Sequence, residues 1–112
     1  MTRYKKWDIV LTGFPYADSG VVKKRPVLVV ATFTPTSRIH LLWVLMITST
    51  SLAGWRGDVT IRDIKKAGLP IASIIRTAKI ACIDARLIVG QPGSLETATQ
   101  KDVRAALEEI IR

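Results

Sequence analysis

"KKRPVLVVATF", Lys23–Phe33, sets three cations and a proline directly against an almost unbroken apolar, largely β-branched run. A strand with one wet face alternates apolar and polar residues, whereas this run suits a strand covered on both faces. Arg25 precedes Pro26, which biases it towards an extended conformation on a stiff backbone. A planar, permanently charged group able to grip a phosphate with two parallel hydrogen bonds therefore stands at the mouth of a core strand.

The flanking segments continue the β pattern. "WDIVLTGF" precedes it and ends at Pro15, and "YADSGVVKK" is a polar connection. "HLLWVLMITST" is a second doubly apolar run, "GDVTI" a short alternating strand, and "RDIKKAGLP" a basic loop closing on Pro70. "SIIRTAKIACI" follows, then "ARLIVG", ended by "QPG". Only the tail reads as a helix: Val103, Ala106, Leu107, Ile110 and Ile111 fall on an i, i+3, i+4, i+7, i+8 stripe. Thr97 with Gln100, or Thr99 with Asp102, supplies a capping box at its start. One helix must bury its stripe on the strands, so the expected fold is mainly β, a small, strongly bent antiparallel barrel or sandwich closed by a C-terminal α-helix. The length of 112 residues suits one domain over 1–112.

Charge narrows the partners. The chain has 17 Lys and Arg against 9 Asp and Glu, a net +8. Residues 1–90 hold 14 basic and 5 acidic side chains, and residues 91–112 hold 3 and 4, so the whole excess lies in the first 90. Such a field favours a polyanion or an acidic protein. There is no strongly basic amphipathic helix, and the first apolar run is too short for a span, so no membrane role or leader is expected. The single cysteine, Cys82, excludes an internal disulfide, and a cytoplasmic location is the simplest expectation. One His and scattered carboxylates offer no metal-ligand spacing, and there is no nucleophile elbow, P-loop or dinucleotide fingerprint. No metal or cofactor is expected.

What remains is guanidinium, ammonium and hydroxyl groups at strand ends. Arg25 is the first candidate, with Lys23 and Lys24 setting the field. "ITSTS", Ile47–Ser51, ends an apolar strand with four hydroxyls, and alternation sends Thr48 and Thr50 to one face, Ser49 and Ser51 to the other. Arg76 interrupts an apolar strand, with Lys79 three positions on. Trp55 and Arg56, in "SLAGWRGD", are candidates for stacking on an unpaired base, whereas Trp43 reads as core or dimer interface.

In this order and in a chain of this size, "DIVLTGFPYADSGVVKKRPVLVV", "VLMITST" and "GLPIASIIRTAKIACIDARLI" resemble the MazF/PemK family of toxin endoribonucleases from bacterial toxin–antitoxin pairs. The resemblance runs from about Asp8 to the end of the chain. It implies an SH3-like antiparallel β-barrel with a C-terminal helix, and metal-independent cleavage of single-stranded RNA. It also implies a homodimer and an acidic antitoxin partner. Arg25 matches the family's R-P arginine, Thr48 its strand-end threonine and Arg76 the arginine of its S-x-V-R segment. By the same likeness Arg25, Thr48 and Arg76 are catalytic. Lys23, Lys24, Ser49, Thr50, Trp55, Arg56 and Lys79 would contact RNA. This chain departs from the pattern in having Trp7 for the glycine before the first strand's aspartate. Ala78 replaces a carboxylate that some members carry, which leaves the general base unassigned, and the loop before Arg25 has Asp18, Ser19 and Gly20. Two other functions fit the same architecture: a non-catalytic nucleic-acid-binding module and a gyrase-poisoning toxin.

Overall fold

The computed structural model describes residues 4–15 and 22–112, apart from the side chains of Phe14, Pro15, Val22 and Lys23. Six strands form one antiparallel sheet: β1 Asp8–Pro15, β2 Val22–Thr36, β3 Ile39–Ser49, β4 Asp58–Thr60, β5 Ser73–Asp84 and β6 Ile88–Ser94. Their spatial order is β4-β5-β3-β2-β1-β6. The edge strands β4 and β6 are not paired with each other, so the sheet is bent but not closed. Its long strands change register between Val29 and Ala31, and again between Leu45 and Met46. Such irregularities bend and twist a strand, letting 15 residues of β2 serve both halves of the sheet.

The central strands are buried on both faces, as the apolar run at Val27–Val30 implied. Leu28, Leu45 and Ile47 join Ile9, Ile75, Leu95 and Val103 in one core group. Val27 and Val29 join Val10, Leu42, Val44 and Ile83 in a second. Alternate residues of one strand thus anchor two cores, which fixes its register twice over.

Among the described residues two α-helices complete the fold, α1 (Ile64–Ala67) and α2 (Thr97–Ile111). The segment read as a basic loop contains α1, whose N-terminus is held by the Asp63 carboxylate accepting from Lys66 N at 3.0 Å. It ends at Gly68, with φ 73°, in the left-handed region that glycine enters freely. Helix α2 packs on β4 and β5. Val103 is fully buried and Ala106 and Leu107 pack against the core, but Ile110 and Ile111 run past its edge and are exposed. Neither expected capping box forms: Glu96 is the N-cap, and the Thr99 hydroxyl donates to its carboxylate.

Between β3 and β4 the chain makes a 3-10 turn at Thr50–Leu52 and then a bend, pinned to β5 by the Thr77 hydroxyl donating to Gly57 O at 2.6 Å and by one ion pair. Arg76 Nε and Nη2 donate to the two Asp58 carboxylate oxygens at 3.1 and 3.0 Å, and Nη2 also donates to Leu52 O at 2.7 Å. The side chains are 11% and 8% exposed. Asp58 further accepts the Gly54 and Trp55 N–H groups at 3.1 and 3.0 Å. Its hydrogen bond from Arg76 is the main cause of an acidity raised beyond the ordinary value of 3.8, with burial opposing.

Two outcomes follow. A carboxylate more acidic in the folded state binds fewer protons there than in the unfolded chain. Its contribution is therefore whole above about pH 4 and fades as the pH falls through the folded-state value. Urea midpoints measured from pH 7 to pH 2 should fall on the acid limb, and Asp58→Asn should lower the midpoint at pH 7 and flatten that limb. The second concerns Gly93, where an added Cβ would stand 2.1 Å from Lys66 O, whereas at Gly90 the nearest atom is 3.4 Å away. Gly93→Ala should therefore cost at least the ~1–3 kcal/mol typical of overpacking, with Gly90→Ala close to wild type in the same unfolding assay.

Candidate functional site

A cleft of about 260 Å³ opens where β2 begins and β3 ends, lined by Arg25, Pro26, Thr48, Ser49, Leu52 and Ser73 among others. Its polar residues come from three strands. The β2–β3 ladder ends at Val27 opposite Met46, and two further residues along each strand bring Arg25 level with Thr48. Both are half-buried. Pro26 lies opposite Leu11, and Val27 beyond it is fully buried, so the backbone carrying Arg25 is held by both the proline ring and the core.

The expected alternation of the four hydroxyls stops where the strand does. Ser49 ends β3 and caps the 3-10 turn: its Oγ accepts from Ser51 N at 3.2 Å and lies 2.9 Å from Ser51 Oγ. Thr48 and Ser49 consequently both line the cleft, while Thr50 is exposed on the turn and does not. Ser73, which the sequence reading passed over, enters because it pairs with Ser49 across β3 and β5. Its hydroxyl donates to Ile71 O at 2.9 Å, shaping the Leu69–Ile71 wall. Only the register between strands 24 residues apart places it there, and nothing local in the sequence encodes that register.

The other candidates lie around this cleft. Lys24 is exposed on β2, and the side chain of Lys23 is outside the described residues, as are Asp18, Ser19 and Gly20. Arg76 does not line the cleft: three of its N–H donors are committed to Asp58 and Leu52, and only Leu52 reaches the cleft wall. Asp58 holds the guanidinium charge firmly, its hydrogen bond raising the Arg76 pKa above the ordinary arginine range. The Arg76 guanidinium lies 4.0 Å from the centroid of the Trp55 ring, with Lys79 Nζ at 5.9 Å. Arg56 faces elsewhere, into a groove of about 560 Å³ against α2 that it shares with Gly57, Ala78 and Ile110.

Trp43 is not core. It is 53% exposed, and with Ile80, Ala81 and Cys82 it borders an apolar hollow of about 360 Å³ on β3 and β5. Among the described residues no helix is long and apolar enough to cross a membrane, and no three His, Cys, Asp or Glu side chains group as metal ligands would.

Solved structures carry the same fold at low identity. The Mycobacterium tuberculosis toxin MazF-mt6 superposes with a TM-score of 0.72 at 19% identity, over 93% of this chain and 95% of that one. MazF from Deinococcus radiodurans gives 0.73 at 18%, over 96% of each. An endoribonuclease in complex with its cognate antitoxin, from a mycobacterial species, gives 0.73 at 14%, over 97% and 95%. No curated protein sequence matches the chain. The sequence profile of the PemK-like, MazF-like toxins of type II toxin–antitoxin systems matches residues 5–111, and the chain belongs to that family.

Proposed function

We propose that this chain is an endoribonuclease that cuts single-stranded RNA, acting as the toxin of a type II toxin–antitoxin pair. The observation carrying this reading is the meeting of Arg25 and Thr48 in one cleft on a basic protein. The reaction is transesterification. The ribose 2′-oxygen forms a bond to the adjacent phosphorus as its proton leaves. The bond from phosphorus to the 5′-oxygen breaks, and that oxygen takes up a proton. The products are a 2′,3′-cyclic phosphate and a free 5′-hydroxyl, and the nucleophile belongs to the substrate.

The protein's task is then to cradle the charge that builds on the phosphorane oxygens. Arg25 is the clamp: a guanidinium stays protonated, and its fork matches two phosphate oxygens. Thr48, level with it, orients a phosphate oxygen or the 2′-hydroxyl, and Ser49 borders the same phosphate. Lys23, Lys24 and Lys79 draw the strand in, and Thr50 flanks its path on the turn. Arg76, engaged by Asp58, does not act as a second clamp in this reading. The described cleft lining contains no Asp, Glu or His, so the groups it offers are charge and hydroxyls.

The apolar hollow around Trp43 supports a homodimer. A two-fold interface pairs one patch with itself, and exposed Trp43 and Ile80 on neighbouring strands form such a patch. The +9 balance of residues 1–90 suits an acidic antitoxin segment that competes with RNA for the basic face. The antitoxin bound to the mycobacterial relative is consistent with this.

Single-stranded RNA incubated with the protein in EDTA should yield cyclic-phosphate fragments. Arg25→Ala should lower kcat by ~10²–10³ with its melting temperature unchanged, and Thr48→Val by about tenfold. Retarded but uncut RNA with the wild-type protein would instead mean a binding module, and Arg25→Ala cutting at the wild-type rate would remove the clamp. Trp43→Glu should halve the mass seen by analytical ultracentrifugation, and an unchanged mass would place the interface elsewhere.

A further inference from the structure

The side chain best prepared to receive a flat ligand is Trp55, and its preparation uses the Arg76–Asp58 ion pair of the β3–β4 turn. The Asp58 carboxylate accepts the Trp55 backbone N–H at 3.0 Å and that of Gly54 at 3.1 Å, which fixes the residue's backbone. The same carboxylate aims the Arg76 guanidinium, whose carbon lies 4.0 Å from the indole centroid, the spacing of a stacked pair. Leu52 O holds the guanidinium from a third direction. One side of the indole is thus backed by a fixed cation, yet Trp55 remains 49% exposed. A large aromatic held rigidly by two buried charges and left half open has already met the ordering cost of receiving a planar partner.

We propose that Trp55 is a stacking platform for one nucleobase of the RNA substrate, and that Arg76 is its positioning residue rather than a phosphate ligand. This rests on the ribonuclease reading above. Three features favour a base over an aromatic side chain of a partner protein. Leu52, whose carbonyl Arg76 holds, lines the cleft with Arg25 and Thr48. Trp55 follows it by three residues, at most ~11 Å of chain, so the platform serves a base within one or two nucleotides of the scissile phosphate. Lys79 Nζ, 5.9 Å from the ring centroid, adds a second cation beside the platform, which suits a ligand that carries its own phosphate. The backing guanidinium also withdraws electron density from the indole, which favours the electron-rich purines as occupants. Arg56, the other stacking candidate, lines the α2 groove and lies outside the platform.

The experiment measures kcat and KM on a cleaved oligoribonucleotide and sequences the fragment ends released from a random single-stranded pool. Wild type, Trp55→Ala, Trp55→Phe, Arg76→Lys and Arg25→Ala are compared, with thermal melts as folding controls. Loss of one base–aromatic stack corresponds to ~5- to 100-fold in binding. Trp55→Ala should therefore raise KM by that factor and relax base preference at one position beside the cut. Trp55→Phe should restore both. Arg76→Lys keeps the charge but not the fork, and should follow Trp55→Ala in KM instead of following Arg25→Ala in kcat. Trp55→Ala cutting at the same positions with the same KM overturns the platform and leaves the ribonuclease reading standing. Arg76→Lys that folds and loses kcat alone makes Arg76 a phosphate ligand and overturns its positioning role. Wild-type protein that leaves RNA intact overturns both.

Discussion

The bidentate bond between Arg76 and Asp58 decides where the β3–β4 connection lies. Removing two charges from water is expensive, and such a pair holds only when further hydrogen bonds satisfy the remaining groups. That condition is met here by Leu52 O on the cation side and by the Gly54 and Trp55 N–H groups on the anion side. The pair joins β5 to a segment that has little packing of its own, since Thr50–Arg56 are all exposed. Without a core beneath it, that segment is positioned by polar contacts alone. The wall that Leu52 gives the cleft and the orientation of Trp55 both derive from the same two side chains.

The cleft itself depends on a different kind of constraint. Arg25 and Thr48 lie just beyond the last ladder pair of β2 and β3, on strands that are buried from Val27 and Ile47 inward. Apolar packing on both sides of these strands resists sliding, because a one-residue slip would exchange residues between the two core groups and misfit both. Arg25 and Thr48 therefore occupy the first positions released from the core, where they are still aimed by it. Rigid packing holds Arg25, and a polar network holds the surface beside it.

Much of the fold was legible in the sequence because its signals are local. The run Val27–Val30 reads as a doubly covered strand from composition alone, and the tail's stripe gives α2 through Ile111, with its packed face down to Leu107. Ile110 and Ile111 continue the stripe beyond the buried core, a limit that periodicity does not carry. Helix α1 was missed because four residues are too short to show a period, and its stop at Gly68 serves a close approach to Pro92 as much as a turn. The site was legible only in part. The R-P dipeptide announces a fixed cation, and a strand-end hydroxyl run announces Thr48. An arginine inside an apolar strand, however, looks the same in sequence whether it faces a phosphate or a carboxylate. Only the β4–β5 register, Asp58 against Arg76, distinguishes them, and that pairing spans 18 residues.

The two departures from the family pattern differ in kind. Trp7 has φ 79°, the conformation for which a glycine is the ordinary choice, at ~1–2 kcal/mol of strain. Its N–H donates to Val29 O at 2.7 Å and its carbonyl accepts from Leu95 at 2.9 Å, while Lys6 and Arg104 flank its ring. The left-handed backbone at Trp7 is thus held by two hydrogen bonds, and its bulky side chain is flanked by two cations. Ala78 is a chemical departure, and its location limits its effect. It lines the groove against α2 with Arg56 and Gly57, whereas Arg25 and Thr48 lie in the cleft at the β2–β3 end. A carboxylate at position 78 would face that groove, and its absence takes nothing from the described cleft lining. Arg25, Thr48 and Ser49, which line that cleft, are therefore untouched by the substitution.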